Sequence, residues 1–147
     1  MFSQTVEYAL RATVHLAMNN DRPQKTNQIA DATQVPTAYL AKVLRELNRH
    51  GLVHSQRGLG GGISLAKSPE EMTILEIVNA VDPVTRIKTC PLQLPSHGAQ
   101  LCALHRRMDN ALAMVESAFA ETTLDEILKE STERLPLCEV GLNSMPQ

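Results

Sequence analysis

Tryptophan is absent from this 147-residue chain, and phenylalanine and tyrosine occur only twice each. A core must therefore be built mostly from aliphatic side chains, and a hydrophobic content of 43% suffices for one. No run of about 18 uninterrupted apolar residues occurs, so no membrane-spanning helix is expected. The opening Met1-Phe2-Ser3-Gln4-Thr5-Val6-Glu7 lacks the charged and apolar regions of a secretory signal. Cysteine is scarce. Three residues, an odd number, argue against a closed disulfide framework and for a reducing compartment, the cytoplasm. No two carboxylates or histidines fall into a catalytic arrangement, so an enzyme is not expected.

The formal net charge of −2 conceals an asymmetry. Residues 1–68 carry eight Lys/Arg against four Asp/Glu, and residues 69–147 carry six against twelve. A basic N-terminal half suits a polyanion, whereas the acidic half should stay away from one. Within the basic half, Val6, Ala9, Leu10, Thr13, Leu16 and Ala17 give a first helix from Ser3, its N-cap, to about Asn19. Asn27 is the expected cap of a short second helix ending near Thr33. Gln34-Val35-Pro36 forms a turn. Thr37 is the expected cap of a third helix with Leu40, Val43, Leu44 and Leu47 inward and Tyr39, Lys42, Glu46 and Arg49 outward. Gly51 stops it. Two short helices about a tight turn, the second with an exposed polar N-terminus, make a helix-turn-helix. Next come two short strands, Leu52–Gln56 and Ile63–Ala66, around Arg57-Gly58-Leu59-Gly60-Gly61-Gly62. A phosphate-binding loop would need Gly-Lys-Ser/Thr and a following helix. Ile-Ser-Leu-Ala follows instead, which reads as a β-wing.

Thr73-Ile74-Leu75-Glu76 is a capping box that opens a fourth helix. Residues 83–100 are broken by Pro83, Pro91, Pro95 and Gly98 and read as irregular. A long helix is expected from about Leu101 to Glu121. On it Leu101, Leu104, Met108, Leu112, Val115 and Phe119 form a heptad-like seam suited to pairing with a second copy. Packing back on its own domain is the alternative. Thr123-x-x-Glu126 caps a last helix. The expected organisation is a DNA-binding domain over 1–82, an irregular sensor segment over 83–100, a dimerisation helix and short last helix over 101–131, and a tail over 132–147. The fold class is mainly α: a winged helix-turn-helix with a small two-stranded wing and a long C-terminal dimerisation helix.

Glu7-Tyr8-Ala9-Leu10-Arg11-Ala12, Tyr39-Leu40, Gly51-Leu52-Val53, Arg57-Gly58-x-Gly60-Gly61-Gly62 and the run Thr73–Val81 together resemble the Rrf2 family. These are bacterial winged-helix transcription regulators that include the IscR-type and NsrR-type iron–sulfur sensors. The resemblance covers about residues 1–130. It implies a homodimeric regulator, a repressor in the expected mode, bound to a pseudo-palindromic double-stranded DNA operator. The third helix would lie in the major groove and the wing in the minor groove. The DNA-contacting residues implied are Thr37, Tyr39, Lys42, Arg57, Gly58, Gly60 and Gly61. Thr37 and Tyr39 stand where helix N–H groups and hydroxyls suit phosphates or base edges. Lys42 follows one turn on. Arg57 suits the enhanced negative potential of a narrow minor groove. Some members carry an acidic residue where this chain has Ala41, which cannot accept a hydrogen bond from cytosine.

Cluster-binding members carry three cysteines at six-residue spacing before the long helix, and a histidine three residues after the third. Cys90, Cys102 and His105 match the outer positions, and Ser96 occupies the middle one. The resemblance thus offers a 2Fe–2S cluster on Cys90, Cys102 and His105, with His97, Glu7 or Cys138 as a further ligand. Thiolates and imidazoles both ligate such clusters, whereas serine is a poor substitute. Three readings stand: a cluster responding to redox, iron–sulfur or nitric-oxide-type signals, a thiol or small-molecule signal without one, and no sensor chemistry here. The competing function is a winged-helix protein-interaction module, or a regulator controlled by a partner protein or small ligand.

Overall fold

A computed structural model describes residues 2–97 and 100–130. Cys138 and the expected 132–147 tail lie outside these residues. The described chain runs α1 (Gln4–Met18), α2 (Thr26–Thr33), α3 (Thr37–Arg49), β1 (Val53–Gln56), β2 (Gly62–Leu65), α4 (Ile74–Val81), a 3-10 turn (Pro95–His97), α5 (Ala103–Ala120) and α6 (Leu124–Lys129). It is a mainly helical winged helix, as the sequence indicates.

Local chemistry sets most helix ends. Ser3 Oγ accepts the Val6 N–H at 3.3 Å and caps α1. Thr73 and Thr123 each form a reciprocal capping box, with Glu76 and Glu126 respectively. Two expected caps are corrected. Helix α2 begins at Thr26 rather than after Asn27, because the Gln28 side chain reaches back to accept the Lys25 N–H at 2.8 Å. Pro36 rather than Thr37 stands at the α3 N-cap, with no side-chain cap bond. Its carbonyl accepts the Tyr39 and Leu40 N–H groups, each at 3.0 Å, so the ring's fixed φ starts the helix and Thr37 becomes its first residue. At the other end the Leu52 N–H donates to Leu47 O at 2.9 Å, turning the chain into β1.

Strands β1 and β2 pair antiparallel, with Val53 opposite Leu65 and Gln56 opposite Gly62. Gln24, before α2, extends this ladder. Its N–H donates to Ile63 O at 2.8 Å, and the Ile63 N–H donates to Gln24 O at 2.7 Å. The wing is thereby tied to the helical layer at its base.

The core is aliphatic, as the lack of aromatics requires. Ala9, Leu16, Ile29, Leu40, Leu47, Met72 and Ile77 are buried between α1, α2, α3 and α4. Each large side chain of this kind contributes roughly 1.5–3 kcal/mol by leaving water. Leu124 of α6 joins the same core at 0% exposure. The Ile74 N–H donates to Thr122 O at 2.9 Å and the Leu124 N–H to Met72 O at 3.0 Å. The chain thus returns to its N-terminal layer after the long helix.

Helix α5 begins at Ala103, with Cys102 at the N-cap, so Leu101 precedes the helix rather than opening its seam. None of its 18 residues is fully buried. The seam divides. Leu112 and Val115 line a narrow apolar cleft with Phe2, Val6 and Val78. Phe119 meets Phe2 with ring centroids 5.3 Å apart. Leu104 and Met108 are exposed, as is Met114 on the flank.

Candidate nucleic-acid interface and sensor segment

The outer face of α3 and the wing protrude side by side. Tyr39 is 56% exposed, an unusual placement for an aromatic ring in so aromatic-poor a chain. It leans on Tyr8 of α1 at 6.2 Å between centroids. The Lys42 ammonium lies 5.9 Å from the Tyr39 ring, and the Arg11 guanidinium 5.9 Å from that of Tyr8. Cations held over aromatic faces are attracted by the ring quadrupole and oriented by it. Arg11 is fixed further by Glu7 Oε1 at 2.9 Å and Thr33 O at 3.4 Å. Thr37 is exposed at the start of α3. Arg49 is paired with Glu46 at 2.8 Å.

At the wing tip Arg57, Gly58, Leu59 and Gly60 are all exposed. Two glycines are sterically required just behind it. A Cβ on Gly61 would lie 2.4 Å from Gln56 O, and one on Gly62, at φ +152°, would lie 2.7 Å from Gln24 O. The first approach folds the tip back on β1, and the second lets the wing reach Gln24.

A groove of about 390 Å³ separates α3 from the wing. Ala41, Arg45 and Asn48 line it from α3, Ser55 and Arg57 from the hairpin, and Thr26 from the start of α2, over a floor of Leu44 and Ile63. Arg45, Asn48, Ser55 and Thr26 are absent from the sequence-derived contact set. Their signal is the spacing of Ala41, Arg45 and Asn48, steps of four and three that mark one helix face.

The irregular segment before α5 is anchored by Arg86. Its Nε and Nη2 donate to both carboxylate oxygens of Asp109, at 2.7 and 2.6 Å, and its Nη1 donates to Glu116 at 3.1 Å. The Ile87 N–H also donates to Asp109, at 2.8 Å. The Arg86 guanidinium holds the Asp109 carboxyl below the usual range, and the two carboxylates hold Arg86 charged.

Cys90 is buried, and the Leu94 backbone, His97 and the Leu92 backbone all lower its thiol pKa. His97 Nδ1 is buried without a hydrogen-bond partner. Cys102 Sγ lies 3.3 Å from His105 Nδ1. Glu7 is engaged by Arg11 on α1, and Ser96 sits exposed in the 3-10 turn. The candidate ligands thus form one thiol–imidazole contact, that of Cys102 with His105. Among the described residues no three His, Cys, Asp or Glu side chains converge on one point. A 2Fe–2S cluster needs four donors around its two irons, so these residues do not present an assembled cluster site.

Comparison with known proteins agrees with this architecture. The family described as "Rrf2: Iron-dependent Transcriptional regulator" matches residues 2–130. An HTH-type transcriptional regulator of Aquifex aeolicus is 33% identical over 138 residues, 92% of this chain and 96% of its own. Among solved structures, T. potens IscR superposes with a TM-score of 0.75 at 22% identity, over 90% of this chain and 89% of its own. CymR, described as the global cysteine regulator of B. subtilis, superposes at 0.74 and 22% identity, over 90% and 98%. These two likenesses establish the winged-helix fold. No helix among the described residues is long and apolar enough to cross a membrane. With a family match spanning the described fold and a relative similar over nearly its full length, the chain belongs to the Rrf2 family of DNA-binding transcriptional regulators and is not an enzyme.

Proposed function

We propose that the protein acts as a homodimer on a double-stranded DNA operator, with α3 in the major groove and the wing in the adjacent minor groove. The observation that carries this reading is the exposed Tyr39–Lys42 pair on α3, together with an exposed, glycine-built wing tip led by Arg57. Thr37 and Tyr39 position the helix on the duplex and Lys42 reaches a base edge or phosphate. Arg57 enters the minor groove, with Gly58, Gly60 and Gly61 keeping the tip thin. Dimerisation is supported by α5, which leaves Leu104 and Met108 uncovered. Enrichment of a two-fold-related site from random duplexes, lost with Arg57→Ala, is the expected result. Failure of the wild-type protein to enrich any duplex would favour the protein-interaction alternative.

The signal enters through the segment before α5. The Cys102–His105 contact, together with a buried Cys90 whose thiol pKa is lowered, favours a thiol-based input over a preformed cluster. Iron and sulfide analysis of protein purified without oxygen tests this. Iron-free protein whose operator affinity changes on thiol oxidation supports it. Stoichiometric iron and sulfide would overturn it and make the fourth ligand, among His97, Glu7 and Cys138, the next question.

A further inference from the structure

We propose that the groove between α3 and the wing is a seat for one backbone phosphate of duplex DNA, with Arg45 as its principal cation. This rests on the operator-binding reading above and assigns to it residues which that reading leaves idle. If α3 occupies a major groove and the hairpin the next minor groove, the sugar–phosphate strand dividing them must run between the two elements. The space there is the 390 Å³ groove.

Its chemistry suits a phosphodiester. Arg45, Asn48, Ser55, Thr26 and Arg57 offer guanidinium, amide and hydroxyl donors, and no carboxylate lines it. Arg45 is also the α3 cation among the residues lining this groove. Lys42 rests over Tyr39 and Arg49 is bound to Glu46, whereas Arg45 makes no ion pair among the described residues. Helical side chains lean toward the helix N-terminus, and one turn before the exposed Arg45 stands Ala41, whose methyl group leaves room. The opposing wall is fixed by the paired Gln24–Ile63 backbone bonds and by the Leu52–Leu47 closure of α3. The spacing is therefore set before DNA arrives, which lowers the ordering cost of the contact.

Wild type, Arg45→Ala and Arg45→Lys are compared on selected and scrambled duplexes across roughly 50–200 mM salt. Alanine suits an exposed helix position, so folding is retained and is checked by circular dichroism. Arg45→Ala weakens binding to all sequences by one common factor of about ten, and flattens the log K against log salt slope by about 0.9, the signature of one lost phosphate contact. Arg45→Lys recovers most of both, since a point charge serves a phosphate. Relaxed preference at a single base pair with an unchanged slope would overturn the assignment, making Arg45 a base reader. Unchanged affinity would overturn it too. So would an Arg45-dependent response to inorganic phosphate alone at low millimolar concentration, which would mark a free-anion site. If the wild-type protein selects no duplex, the operator reading falls first and carries this assignment with it.

Discussion

Single residues decide how the wing is shaped. Gly61→Ala would press a methyl group into Gln56 O. The tip must then re-form, and operator affinity is expected to fall by about tenfold, ~1.4 kcal/mol, with the helical circular dichroism unchanged. A titrating residue sits on α1 near Gln24, the residue that extends the wing ladder. His15 Nε2 is buried without a partner. Burial lowers the His15 pKa from 6.5, opposed by the nearby Gln24 side chain. A histidine depressed in the fold contributes stability that is fully present above its unfolded pKa and is lost as pH falls through the folded one. The urea midpoint of wild type should therefore drop on going below pH 6.5, and that of His15→Gln should drop less. Residue-level reading of the sequence succeeded where the chemistry is local. Ser3, Thr73 and Thr123 cap as expected because their partners lie three residues away. It misplaced Asn27 and Thr37, because the caps fall on Lys25 and Pro36, two positions and one position earlier. Arg45 carries no local signal of this kind, because its place opposite the hairpin depends on where the hairpin folds, which α3 does not encode.

At the scale of elements, α5 and the segment before it carry the main consequences. Helical periodicity located the long helix, but one apolar seam serves two destinations. Leu112, Val115 and Phe119 face their own domain, while Leu104 and Met108 are left bare. Periodicity records that a face must be covered, not by which chain. In the proposed dimer, placing charge on the bare half should therefore separate the copies. Leu104→Glu with Met108→Glu is expected to give a folded monomer by light scattering, while Leu112→Ala should cost stability in the monomer itself, about 2–5 kcal/mol if its site cannot collapse. The two capping boxes also link elements. Partial burial pushes the Glu76 carboxyl up, but Lys67 at the end of the wing and the Thr73 N–H outweigh this and hold it below 4.5. Arg86 joins the segment before α5 to α5 through two carboxylates. Arg86→Ala should lower the melting temperature and raise proteolytic cleavage between Val84 and Cys90, without altering the wing.

Across the whole molecule, the informative contact joins segments far apart in sequence. Leu124 closes the core that Ala9 and Leu16 begin. Nothing local announces it, since an amphipathic six-residue helix has many apolar surfaces to choose from. Leu124→Ala is expected to destabilise the fold by about 3 kcal/mol, read as a lower urea midpoint with an unchanged slope. The same docking has a mechanical side. Helix α5 is fixed at its C-terminal end, where Thr122 and Leu124 are bonded to the layer around α4, and its N-terminal end carries Cys102. It is a lever whose fulcrum is the core itself. Eighteen residues span about 27 Å, so a tilt of about 10° at the fulcrum sweeps the Cys102 end through about 5 Å, one helical turn. The gearing also runs in reverse. A displacement of a few ångströms imposed where Cys102 meets His105 reaches the helical layer as a rotation of a few degrees, divided by the length of the arm.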